Sequence, residues 1–164
     1  MLLSIVHSPT GLLHLAVSCL AMIFGALILF LHKGTQLHKR IGYAYTVCML
    51  LVNATAFMIY HLWGRFGIFH WFAVLSLFSL SMGMLPLFLV KNRPKALYLH
   101  VNFMYWSVIG LYCAFVAETL VRLPHALFRG NFALAINGSI FLVMLIGGVC
   151  FGIWKKKWQK QFHF

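Results

Sequence analysis

The chain has 164 residues, 63% of them hydrophobic and 9% charged, with 13 Lys and Arg against a single Asp or Glu. A soluble domain of this length needs a charged surface that this composition cannot supply, so membrane-embedded helices are expected. The formal net charge of +12 would suit nucleic acid. Its grouping in short stretches between apolar runs points to a membrane surface instead, and no nucleic acid is expected.

The first nine residues, M-L-L-S-I-V-H-S-P, lack a basic start and a small-residue cleavage site, unlike a removable signal peptide. About 20 apolar residues cross a hydrocarbon core of about 30 Å. On that length the runs Gly11–Leu31, Ile41–Tyr60, Ile68–Val90, Tyr98–Val121 and Phe132–Trp154 predict five spans. They are separated by H-K-G-T-Q-L-H-K-R, W-G-R-F-G, K-N-R-P-K and R-L-P-H-A-L-F-R-G-N. Connections this short make neighbours antiparallel. The expected fold is an all-α integral membrane protein: one domain, an up-down four-helix bundle plus one peripheral helix.

Lys33, Lys39 and Arg40 follow the first run, Lys91, Arg93 and Lys95 the third, and Lys155, Lys156, Lys157 and Lys160 the last. With five spans these three groups share one side, and Arg65, Arg122 and Arg129 take the other. The bias places the N-terminus outside and the C-terminus in the cytoplasm, as in a multi-pass protein of the cell inner membrane. Cys19, Cys48, Cys113 and Cys150 each lie within a run, which suits buried thiols and implies no disulfide framework. The sequons at Asn53 and Asn137 also lie within runs and are discounted.

Nine histidines are many for such a chain, and their positions alternate. His14 and His70 open the first and third runs at the outer level, while His38 and His100 open the second and fourth at the inner level. Two imidazoles facing each other across a bundle can clamp an iron porphyrin, each supplying an axial nitrogen. The expected cofactor is therefore haem b, two per chain, with axial pairs His14/His70 and His38/His100. Ser18, Ala21 and Gly25, on the same face as His14, would leave room for a broad ring or simply permit close helix packing. Lys39, Arg40, Arg65 and Arg122 could meet haem propionates or act as interfacial anchors.

The one acid, Glu118, lies five helical turns after His100, so both share a face of the fourth span about 27 Å apart. Arg122 follows at the spacing of a helix ion pair. Glu118 is thus a partner for Arg122, a proton group beside an outer haem, or a metal ligand. The metal alternative is an outward-facing zinc, iron or copper site built from His14, His61, His70, Glu118 and His125. A third reading is a membrane subunit with histidines at interfaces by chance.

The stretches K-G-T-Q-L-H-K-R-I-G-Y-A-Y, H-W-F-A-V-L-S-L and H-V-N-F-M-Y-W-S, continuing to A-E-T-L-V-R, resemble an uncharacterised bacterial membrane family, domain of unknown function 2306. The histidine layout resembles the ascorbate-dependent di-haem transmembrane cytochromes of the b-561 type. That second resemblance implies a transmembrane oxidoreductase passing electrons from a quinol- or ascorbate-like donor to an acceptor such as ferric iron. The chain departs from that group in having five spans instead of six and no clear ascorbate-binding sequence. A homodimer is also compatible with the sequence.

Overall fold

The computed structural model describes residues 8–59, 64, 66–123 and 131–162. Among them all regular structure is helical: α1 (Pro9–Phe30), α2 (Gln36–Ala56), α3 (Ile68–Met84), α4 (Pro86–Leu89), α5 (Arg93–Val121) and α6 (Phe132–Phe162). Four segments are long and apolar enough to cross a membrane, namely Pro9–Phe30, Ile68–Leu89, Arg93–Val121 and Phe132–Gln161. The second expected span, Ile41–Tyr60, overlaps α2, which instead runs from Gln36 to Ala56 and whose 21 residues suffice in length. Gln36, His38, Lys39, Arg40 and Asn53 make it less apolar than the other four.

Helix starts follow local chemistry. Ser8, Thr35 and Asn92 each accept a backbone N–H three residues on, from Gly11, His38 and Lys95. A polar side chain thereby satisfies a donor that has no intrahelical partner. Between α1 and α2, Gly34 turns the chain at φ 81°, a conformation open to glycine without steric cost. Lys33 folds back there, its ammonium donating to the carbonyls of Ile28 and Leu29 at the end of α1. A cation suits the partial negative charge of a helix C-terminus.

The chain forms two compact units, Met1–Leu80 and Ser81–Phe164. In the first, α1 packs on α2, and a bond from His14 to Thr55 shows the two to be antiparallel. Ser18, Ala21 and Gly25 are all buried in α1, on the face His14 shares. Because that face meets α2, the small residues serve close helix packing. Asn53 is 2% exposed, and its amide donates to Met49 O at 2.7 Å and to Ser76 Oγ at 3.1 Å, which ties α2 to α3.

In the second unit α5 packs on α6 and α4 on α5. An added Cβ at Gly147 would meet Ile109, the Tyr105 ring lies tilted against Phe151 with centroids 4.9 Å apart, and Lys155 sits 5.6 Å from the Tyr98 ring centroid. Residue numbers fall on α5 as they rise on α6, so this pair is antiparallel as well. The buried Tyr105 hydroxyl donates to Gly147 O at 2.6 Å within a cluster that includes Trp106, Phe151, Trp154 and Trp158. α6 runs past the expected end at Trp154 to Phe162, since Lys and Gln are good helix formers once outside lipid.

The third expected span is broken at Leu85. Pro86 has no N–H and its ring crowds the preceding turn, so the ladder stops at Leu85 N–H to Ser81 O, 2.8 Å, and restarts with Phe88 N–H to Leu85 O, 3.0 Å.

Two substitutions test the α5–α6 seam. Tyr105→Phe removes one buried hydrogen bond and should cost about 1 kcal/mol, near the membrane average for such bonds. Gly147→Leu should cost more than Tyr105→Phe, because its Cβ alone would lie 2.9 Å from Ile109 Cγ2. Thermal unfolding in one detergent compares them directly.

Candidate functional site: oriented imidazoles

A neutral imidazole binds metal through one nitrogen only when the other carries its proton, and the hydrogen bond at that other nitrogen fixes which is which. His14 Nδ1 lies 2.8 Å from Thr55 Oγ1. That hydroxyl faces Leu51 O at 2.7 Å and Val52 O at 3.0 Å, and a carbonyl can only accept. The threonine proton is therefore spent on its own helix, and Oγ1 accepts from His14 Nδ1–H. In the neutral ring the lone pair then sits on Nε2.

His100 has the same polarity by a different route. Its Nδ1 lies 2.8 Å from Gly83 O, which can only accept, so Nδ1 carries the proton and Nε2 the lone pair. One imidazole in each unit is thus set in the tautomer that ligation through Nε2 requires.

His70 is set the other way. It is 4% exposed, stacked on Phe66 with ring centroids 4.7 Å apart, and 6.4 Å from Phe57. Gly67 N–H donates to its Nδ1 at 3.1 Å, while His70 N–H donates to Gly67 O. This reciprocal pairing at the start of α3 has the form of a capping box, with histidine where Glu or Gln usually stands. The neutral ring therefore carries its proton on Nε2. Thr55, which meets His14, and Phe57, whose ring centroid lies 6.4 Å from that of His70, both stand near the C-terminal end of α2.

His38 is half-buried on the first turn of α2, where its backbone N–H is held by Thr35. Glu118 and Arg122 form the i,i+4 ion pair that their spacing implied, with side chains 30% and 29% exposed. This is the plainest of the three expected roles for the acid. His61, His125, Arg65 and Arg129 lie outside the described residues. Among the described residues no group of three or more His, Cys, Asp or Glu is placed to hold a metal ion. The four cysteines are free thiols.

Sequence reasoning missed Thr55, Gly83 and Pro86. Thr55 had a signal, lying at the end of the helix antiparallel to the one that carries His14. Pro86 was visible as a helix breaker, but the Gly83 carbonyl beside the break could be matched to His100 only once α4 and α5 were seen to pack together.

A family model described as a predicted membrane protein, DUF2306, matches residues 11–154. No curated protein and no solved structure matches the chain.

Two outcomes test this geometry. Burial lowers Lys33 from 10.5 to about 8, so its charge is disfavoured in the fold. The stability this shift affects should rise between pH 8 and 10.5 and be lost again as pH falls through about 8. In NMR of lysine labelled at Nζ, one resonance should titrate near pH 8 and vanish in Lys33→Met. Glu118→Gln, which breaks a partly exposed pair, should cost no more than about 1 kcal/mol in thermal unfolding.

Proposed function

This chain belongs to the DUF2306 family of membrane proteins, and from that premise we propose that it is a transmembrane electron-transfer protein carrying two b-type haems. Its axial ligands are His14 with His70, and His38 with His100. The observation that supports the reading is the polarity of two imidazoles: His14 donates Nδ1–H to Thr55 and His100 donates Nδ1–H to Gly83. An interfacial histidine needs no such arrangement, whereas a metal-ligating one almost always has it.

The fit is uneven. His14 and His100 already carry the ring proton on Nδ1, the tautomer that Nε2 ligation requires. His70 suits it only if its ring gives up the Gly67 N–H bond and moves its proton to Nδ1, so α3 would lose a cap when the outer pair closes. A porphyrin held by two histidines needs only two protein ligands, whereas the bare-ion alternative needs three or more. Among the described residues no such group is found, so that alternative leans on His61 and His125.

Haem, when bound between two neutral imidazoles, supplies a six-coordinate iron that carries one electron at a time. Thr55 and Gly83 hold the ring protons of His14 and His100, which makes the ligating nitrogens more basic and fixes ring orientation. Lys39 and Arg40 supply positive charge on the first turn of α2 beside His38, where propionates could be met. Glu118 is paired with Arg122, so its place is to balance charge at the end of α5. Two haems at different depths would pass electrons between a quinol- or ascorbate-like donor and an acceptor such as ferric iron. The N-terminus is outside and the C-terminus cytoplasmic in the inner membrane, on the distribution of cations.

Protein purified from haem-replete cells should be red, with a Soret band that shifts on reduction and about two haems per chain by extraction. His14→Ala and His100→Ala should each remove about half of the haem. A colourless protein holding stoichiometric zinc that is lost in Glu118→Gln would favour the metal site instead.

A further inference from the structure

A carbonyl in the middle of an apolar helix ordinarily belongs to the N–H four residues on, and in lipid it is seldom released. Gly83 O is an exception in this chain. The backbone bonds crossing the break in α3 run to Ser81 and Leu85, and Gly83 O receives His100 Nδ1–H at 2.8 Å. The approach is close on both sides. An added Cβ at Gly83 would lie 2.6 Å from Met104 Sδ and 3.2 Å from Met104 N, so a larger residue would have to move the Met104 side chain and ease α5 away. Ala96, His100 and Met104 follow one another at i, i+4 and i+8 on one face of α5. Ala96 and Met104 are buried, as is Pro86, and α4 packs on α5.

We propose that Gly83 and Pro86 are positioning residues for His100: the proline opens the α3 ladder, the missing side chain admits α5, and the exposed carbonyl sets the ring with Nε2 as its ligating nitrogen. The proposal rests on the haem reading for what His100 then binds, but not for how the ring is held. Pro86→Ala gives the break an N–H that can return to Met82 O, and closing that turn draws Gly83 O back toward the Leu87 N–H. The variant repairs a ladder, so it is expected to fold. His100→Asn keeps a donor near the Nδ1 position but cannot ligate as imidazole does.

The test has two arms. In haem-free protein labelled with ¹⁵N-histidine, NMR should show the His100 proton on Nδ1, and Pro86→Ala should shift the ring to mixed tautomers. A proton on Nε2 in the parent protein, or a tautomer unchanged by Pro86→Ala, overturns the positioning role whether or not haem binds. In haem-loaded protein, Pro86→Ala should weaken retention of one haem by about 10- to 100-fold, the usual effect of losing such a support. His100→Asn should lose that haem altogether, while its haem-free form unfolds at nearly the temperature of the haem-free parent. Full haem content in His100→Asn overturns the ligand assignment. If the parent takes up no haem yet the first arm succeeds, the function fails and the positioning stands.

Discussion

Hydrocarbon offers no hydrogen bonds, so every N–H, hydroxyl and carbonyl on a membrane helix has to find its partner within the protein. This constraint accounts for many of the polar contacts among the described residues. Thr46, Thr119 and Ser139 return their hydroxyl protons to carbonyls one turn back. Asn53 joins its own helix to Ser76, and Tyr105 joins α5 to the backbone of α6. The same demand fixes the histidines. Once Thr55 has given its proton to its own helix, it can only accept from His14. Once Pro86 has opened the ladder, Gly83 O is available to His100.

Because acceptors and donors are not interchangeable, this constraint assigns tautomers without any bound metal. His14 and His100 present Nε2 as a base, while His70 uses Nδ1 to cap α3. On the proposed haem reading the pair His14 and His70 would be unequal. His14 already directs its Nδ1–H to Thr55, whereas His70 would have to exchange a structural hydrogen bond of about 1 kcal/mol for a bond to iron. This difference would make occupancy of the outer site more sensitive to the state of the α3 start than occupancy of the inner one.

Much of the fold is legible in the sequence because lipid imposes a coarse rule. Apolar runs near 20 residues and the cations between them locate the cores of α1, α2, α3, α5 and α6, though not their ends, since α3 stops at Met84 and α6 runs on past Trp154 to Phe162. What escapes is finer. α2 reaches back to Gln36 because Thr35 caps it there, not where its charges end. The break at Pro86 is a departure from an otherwise apolar run, and its consequence lies on α5, beyond the reach of a residue pattern. The same limit applies to the site. The spacing of Glu118 and Arg122 on one helix foretold their pairing, whereas no spacing could foretell that His70 turns its Nδ1 to Gly67.

The reading that joins these features is a membrane protein whose histidines hold haem iron between paired imidazoles. Low-temperature electron paramagnetic resonance of the oxidised, purified protein addresses it most directly, because two axial imidazoles make ferric haem low-spin. The account predicts low-spin ferric signals that lose one component in His14→Ala and a different one in His100→Ala. A spectrum with no haem signal, or one unchanged by both substitutions, would contradict it.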